Sequence, residues 1–265
     1  MKRSVWIILY LIVLFFISAL YSRCENDDKK RVSNPVQIVD ENGAARNYNL
    51  YFPRKSNTKV PLLVYFHGVM SKGFKNKAVL KGYTGSPLSE TGLIPFCRVN
   101  RIALLEILPS YTYKFMDLTD RGWSPFSKEI GGIEKCIDTV VEEYNVDKKK
   151  VYLAGISAGA VLANHLANKR PEKYAAILSH SQGYISENND ILMPAVTDNK
   201  FGVVICYTKG DYDDLKNICE KSYEIYKKNG YNIIILRNLP PASHKWSNST
   251  NGKFWRLLLR IGGDT

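Results

Sequence analysis

Four short, nearly continuous apolar runs constrain the fold of this 265-residue chain more than any other feature. They cover residues 62–66, 102–108, 151–156 and 203–207. A strand shows one apolar face when half exposed, but reads as an unbroken apolar run when both of its faces are covered. Helical periodicity lies between the runs. Residues 130–144 place Ile133, Ile137, Val140, Val141 and Tyr144 on one face, residues 158–168 stop short of Pro171, and residues 214–229 end at Gly230. Residues 46–52 alternate like a half-exposed strand, 174–178 and 231–236 are further strands, and 254–261 form a closing helix. This alternation predicts an α/β domain with a mostly parallel central sheet and helices on both faces. With 45% hydrophobic residues the chain can bury one full core. In such sheets ligands sit beyond the carboxyl ends of the strands, so chemistry is expected in the loops after Phe66, Ile156, Tyr207 and Leu236.

The N-terminus stands apart. Lys2 and Arg3 precede an apolar run over residues 5–20, and a polar stretch follows. A short basic region, a short apolar region and then small residues predict a signal peptide over residues 1–22, a linker over 23–35 and a catalytic domain over 36–265. The run is shorter than the roughly 20 residues of a spanning helix. An uncleaved membrane anchor and a lipid-modified Cys24 are the alternatives, although Arg23 argues against the latter. The expected location is therefore secreted or extracytoplasmic, with no stable membrane contact after cleavage. The formal charge of +12 falls to +10 without residues 1–22. The lysines are scattered or sit in short runs such as Lys148 to Lys150, which reads as a solvated basic surface. No helix-turn-helix, zinc-finger or RNA-binding signature is present, so no nucleic-acid partner is expected. Five cysteines (Cys24, Cys97, Cys136, Cys206, Cys219) contain no CxxC pair, which argues against a zinc site.

Four signals fall at the expected strand ends. Gly155-Ile156-Ser157-Ala158-Gly159 follows a strand and opens a helix, the context in which a sharp turn presents a nucleophilic serine. His67-Gly68-Val69 follows the 62–66 strand, where a backbone amide completes an oxyanion hole; Val69 and Ala158 are the two candidate donors. His67 itself reads as a structural residue of that loop. His244 lies just past the last strand, in the position of a general base, since a serine needs a group near neutrality to take its proton. After residues 203–207, Asp211, Asp213 and Asp214 are candidates for the carboxylate that orients the base. Asp211 is preferred as nearest the strand end; Asp213 or Asp214 would cap the following helix. His180, after the 174–178 strand, is a candidate pocket residue, and His165 falls inside the elbow helix as a packing or surface residue. Together these predict the α/β-hydrolase fold.

At this point the chain resembles a family, the secreted esterases related to polyhydroxybutyrate depolymerases and to feruloyl or acetylxylan esterases. The resemblance spans most of residues 44–260. It rests on Leu63-Val64-Tyr65-Phe66-His67-Gly68, on Val146-Asp147 leading to the elbow, on Pro171-Glu172-Lys173-Tyr174-Ala175-Ala176 and on Ser243-His244-Lys245-Trp246. It implies a Ser-Asp-His triad, no cofactor and no metal, and ester substrates that are often derived from plant walls or polymers. It also suggests that Trp123 lines the acyl or sugar pocket; with His180 and Trp246 it completes the candidate substrate-binding residues. Two positions depart from the pattern: Ala160 stands where a third glycine is frequent, and Thr208 replaces a glycine often seen before the acid.

The expected activity is hydrolysis of a carboxylic ester, small or polymeric, through an acyl-enzyme on Ser157, with His244 as base and Asp211 as its partner. Two other readings stand beside it. One is a serine peptidase of the prolyl-oligopeptidase type, a group that usually carries a separate propeller domain for which this chain is too short. The other is an inactive hydrolase fold that serves as a binding module.

Overall fold

The computed structural model describes residues 36–39, 45–53, 58–68, 70–71, 87–109, 112–115, 118–121, 126–186 and 188–263. The leader and linker expected over residues 1–35, together with Val69 and Trp123, lie outside the described residues.

Among the described residues, eight strands form the main sheet. They are β1 (Val36–Val39), β2 (Ala45–Tyr51), β3 (Val60–Phe66), β5 (Ala103–Ile107), β8 (Val146–Ile156), β9 (Ala176–His180), β10 (Gly202–Thr208) and β11 (Ile233–Leu239). Their spatial order is β1-β2-β5-β3-β8-β9-β10-β11. The six strands from β5 to β11 in that order pair in parallel, and β1 and β2 join the β5 edge antiparallel. Three short strands, β4 (Met70–Ser71), β6 (Thr112–Phe115) and β7 (Leu118–Arg121), make a separate small sheet. The helices are α1 (Leu93–Val99), α2 (Phe126–Glu143), α3 (Ala158–Lys169), α4 (Asp213–Lys228) and α5 (Asn251–Ile261).

Both faces of the sheet are covered, and strand alternation divides the core in two. Leu62, Val64 and Phe66 of β3, with Val151 and Leu153 of β8, point to one face, where Ile133 and Ile137 of α2, Leu162 and Leu166 of α3 and Cys219 and Tyr226 of α4 close over them. Leu63, Tyr65, Tyr152 and Ala154 point to the other face, under Leu93 and Cys97 of α1 and Phe254 and Leu258 of α5. The buried stretches of the central strands, such as residues 62–66 and 151–156, are apolar because both faces are dry; each large apolar side chain there contributes about 1.5–3 kcal/mol on burial. The parallel strands all end at the same edge. Phe66, Ile156, His180, Thr208 and Leu239 are therefore neighbours along that edge, and the loops that follow them share one space.

Several elements differ from expectation: β1 and the small sheet of β4, β6 and β7 were not expected, and α2 begins at Phe126, four residues early. β8 begins at Val146, five residues early, because Val146 itself pairs with Val60 while the lysine run passes along the exposed start of the strand. β9 is displaced to Ala176–His180. β11 runs on to Leu239 past a register shift, since it is an edge strand whose Arg237 and Asn238 face solvent. Helix α1 was not expected at all: it is short and holds Pro95, yet Leu93 and Cys97 are buried against the sheet. Cys97, Cys136, Cys206 and Cys219 are all buried.

Candidate active site

The elbow is a backbone device. Ser157 closes β8 and precedes α3 with φ 55° and ψ −125°, a left-handed conformation that costs a non-glycine residue about 1–3 kcal/mol and persists only where its surroundings fix it. Those surroundings are tight. A Cβ on Gly155 would lie 2.2 Å from the Gly159 carbonyl oxygen, and one on Gly159 would lie 2.2 Å from the Phe66 oxygen and 2.5 Å from that of His67. Both glycines are therefore required by close backbone approach, and the second locks the elbow to the end of β3. The Ser157 N–H donates to the His180 carbonyl at 2.9 Å, which ties the turn to the end of β9. Ala158 is the first residue of α3, so its N–H belongs to the amides that a helix leaves without an intrahelical partner. Ala160, the departure from the family pattern, is wholly buried without disturbing this turn.

The other two chemical groups meet directly. His244 Nδ1 lies 2.6 Å from Asp211 Oδ1, and Ser157, Asp211 and His244 are 8%, 4% and 8% exposed. Asp211 Oδ2 accepts from the Thr208 N–H at 2.6 Å and from the Ser181 hydroxyl at 2.7 Å. Burial acts to raise the carboxyl pKa, but the bonds from His244, Ser181 and Thr208 prevail and hold it below its ordinary value. Asp211 is thus an anion in contact with the imidazole.

The loop that carries the acid and the loop that carries the histidine pack backbone on backbone. A Cβ on Gly210 would lie 2.1 Å from the Ser243 nitrogen and 2.2 Å from the Ala242 carbonyl carbon. Thr208 Oγ1 donates to the Ser243 carbonyl at 2.9 Å, and the Lys209 N–H donates to Leu239 O at 2.9 Å. Thr208, the second departure from the family pattern, therefore holds both sides of the site through its amide and its hydroxyl. Asp213 and Asp214 are exposed in the first turn of α4, with Asp213 3.4 Å from Lys216 Nζ. Neither caps the helix: Tyr212 is the N-cap residue and makes no side-chain capping bond.

His180 and Trp246 lie behind the site, where they are 0% and 4% exposed, so neither offers a surface to a pocket. Their rings stack with centroids 5.1 Å apart. Trp246 Nε1 donates to Asn251 Oδ1 at 2.8 Å, which ties the stack to α5. His67 is also buried, with Nδ1 2.5 Å from Gly68 O; burial lowers its pKa to about 4, partly offset by that bond, so it is a neutral residue of its loop. His165 Nε2 lies 2.8 Å from the Ile185 carbonyl, in a packing position. The residue that sequence reading missed is Ser181. Nothing local marks a serine after a strand; only the pairing of β9 with β10 sets it opposite Asp211.

Comparison with known proteins bears on the fold and the family resemblance. The family model for esterase PHB depolymerase matches residues 117–198, a stretch that includes the elbow. A probable acetylxylan esterase A of Aspergillus fumigatus is 26% identical over 179 residues, covering 64% of this chain and 45% of its own length. The chain thus spans less than half the length of the curated relatives it matches. A CE1 ferulic acid esterase from the anaerobic fungus Anaeromyces mucronatus superposes with a TM-score of 0.59 at 16% identity, over 87% of this chain and 90% of that one. The AtxE2 isopeptidase superposes with a TM-score of 0.55 at 14% identity, over 88% of this chain and 40% of that one. By fold the chain is an α/β-hydrolase, and within that fold it resembles the polyhydroxybutyrate depolymerases and feruloyl esterases.

Proposed function

We propose that the protein hydrolyses carboxylic esters through an acyl-enzyme, with Ser157 as nucleophile, His244 as base and Asp211 as the acid that orients it. The observation that carries this reading is the buried 2.6 Å contact between His244 Nδ1 and the Asp211 carboxylate, at the same sheet edge as the strained serine elbow. Asp211 accepts a hydrogen bond from His244 Nδ1–H, which leaves Nε2 as the basic nitrogen. Ser157 Oγ attacks the ester carbonyl as Nε2 takes its proton. The negative oxygen of the tetrahedral intermediate is held by the Ala158 N–H at the start of α3 and by the Val69 N–H. His244 returns the proton to the departing alcohol. Water then repeats the cycle on the acyl-enzyme and frees the acid. No cofactor enters this scheme.

Acetyl, feruloyl or polyester-type extracellular substrates are proposed from the named relatives. Export is proposed from the apolar run over residues 5–20; among the described residues no helix is long and apolar enough to cross a membrane.

The test is labelling with a fluorophosphonate probe alongside turnover of acetyl, feruloyl, short-chain and polyhydroxybutyrate esters. The native chain is expected to label and turn over at least one ester. Ser157→Ala is expected to lose both while keeping its melting temperature, with kcat falling by about 10⁴–10⁶. A native chain that never labels would instead be an inactive binding module, and one that labels but cleaves only peptides would be a peptidase.

A further inference from the structure

Behind Asp211 runs a line of buried polar groups that the scheme above does not use. His180 Nδ1 lies 2.8 Å from Ser181 Oγ, and the Ser181 hydroxyl donates to Asp211 Oδ2. On the other side of the ring, the Ser247 N–H donates to His180 Nε2 at 3.2 Å. An amide can only donate, so Nε2 is the accepting nitrogen and the ring proton belongs on Nδ1. Nδ1–H then donates to Ser181 Oγ, which leaves the hydroxyl proton free to point at the carboxylate. Every donor in the line has a defined direction.

The positions are as constrained as the protons. Ser181 has φ 58°, in the left-handed region, and its N–H donates to Cys206 O at 2.6 Å. Ser179 Oγ donates to the Gln182 carbonyl at 2.7 Å, closing the turn around Ser181. Ser247, which fixes the tautomer of His180, lies three residues after His244, and its hydroxyl donates to the carbonyl of Pro240. The imidazole of His180 thus connects the end of β9, the acid and the loop that bears the base. A residue that served only to fill the core would need neither a strained backbone nor a fixed tautomer.

We infer that Ser181 and His180 are positioning residues that act through Asp211, holding its carboxylate so that Oδ1 faces His244 Nδ1. This inference rests on the proposed Ser157–His244–Asp211 chemistry. Oδ2 is held by two donors in different directions, Ser181 Oγ and the Thr208 amide, and a carboxylate held at two points cannot swivel away from the imidazole. Without Ser181 one of these holds is lost in a buried site where water does not replace it. Burial keeps the His180 ring neutral, so it donates from Nδ1 without carrying charge toward Asp211 or His244.

A double-mutant cycle tests the inference, with Ser181→Ala measured in the native chain and in Asp211→Asn. In the native chain Ser181→Ala is expected to lower kcat by about 10–100-fold, the range for one lost charge-assisted bond, with KM within about twofold. In Asp211→Asn the same change is expected to alter kcat by less than about twofold, because the group it acts through is gone. Ser181→Cys keeps the volume with only a weak donor and is expected to lose kcat similarly, which covers the case in which the alanine variant does not fold. An equal loss in both backgrounds, or a native-like kcat in folded Ser181→Ala or Ser181→Cys, would overturn the relay. The native chain and Ser157→Ala are labelled with fluorophosphonate in parallel. If the native chain fails to label, the hydrolase reading fails; if it labels and the cycle is additive, only the relay fails.

Discussion

Asp211 differs from its neighbours Asp213 and Asp214 in what surrounds it. It is almost wholly buried and accepts from His244, Ser181 and Thr208, whereas both neighbours are exposed in the first turn of α4. Asp211→Asn is expected to lower kcat by roughly 10²–10⁴, because an amide at that position disturbs the tautomer and charge of His244. Asp213→Asn and Asp214→Asn are expected to leave kcat within about twofold. Each should cost only the few tenths to about 1 kcal/mol that a carboxylate gains at a helix N-terminus. Steady-state kinetics and a melting curve for each variant check this; an inactive Asp213→Asn beside an active Asp211→Asn would move the acid. The meeting of Asp211 with His244 was legible from position in the chain, since a strand end, a serine elbow and a late histidine leave few acids to consider. The loss of the expected cap was not legible, because capping depends on where the backbone enters the helix, and it enters at Tyr212. Nor was the burial of His180 and Trp246, since a polar ring near a site reads as pocket lining until the stacking of α5 over the sheet is known.

At the scale of elements, the site depends on how closely two loops approach. Gly210 of the acid loop touches the backbone of Ala242 and Ser243, one residue before His244. Backbone on that side cannot yield as a flexible side chain can, so Gly210→Ala must push the loops apart. Because the His244–Asp211 contact crosses the same gap, the variant is expected to lose at least about tenfold in kcat, as a 1 Å misplacement in an active site can cost about a hundredfold. Gly252, inside α5, is the contrast: the nearest atom to an added Cβ is Arg256 Nη1 at 3.6 Å. Gly252→Ala is expected to leave kcat unchanged and to stabilise the fold by about 0.4–1 kcal/mol through reduced freedom of the unfolded chain. Kinetics and thermal melts of the pair read both effects, and a fully active Gly210→Ala would show that the loops adjust. The elements themselves were largely legible: residues 158–168, 203–207 and 214–229 differ by only a residue or two from α3, β10 and α4. The edges were less so. The start of β8 and the end of β11 are strands held by pairing partners while their side chains face water, so apolar periodicity does not mark them.

The whole molecule closes over two histidines, His67 and His180, which are 1% and 0% exposed. Burial is the leading cause that drives their pKa down, to about 4 and about 3; the Gly68 carbonyl opposes it at His67, as the Asp211 charge does at His180, where His244 adds to the lowering. In the unfolded chain both rings take a proton near pH 6.5. Folding therefore excludes protons that the unfolded chain binds, and the linkage has a definite sign. The stability these groups contribute is complete above about pH 6.5 and is lost as pH falls toward their folded values. Asp211, whose pKa is also lowered, loses its contribution only further down, below the ordinary carboxylate range, and so lies outside this window. Between pH 7.5 and pH 5 the two rings together should remove on the order of 4 kcal/mol, a large share of the 5–15 kcal/mol typical of a domain. Urea unfolding at both pH values is expected to show a lower midpoint at pH 5 with an unchanged slope. His67→Gln cannot be protonated and should shrink the difference by about half, whatever it costs at pH 7.5. Equal midpoints at the two pH values would mean that these rings are not held neutral by the fold.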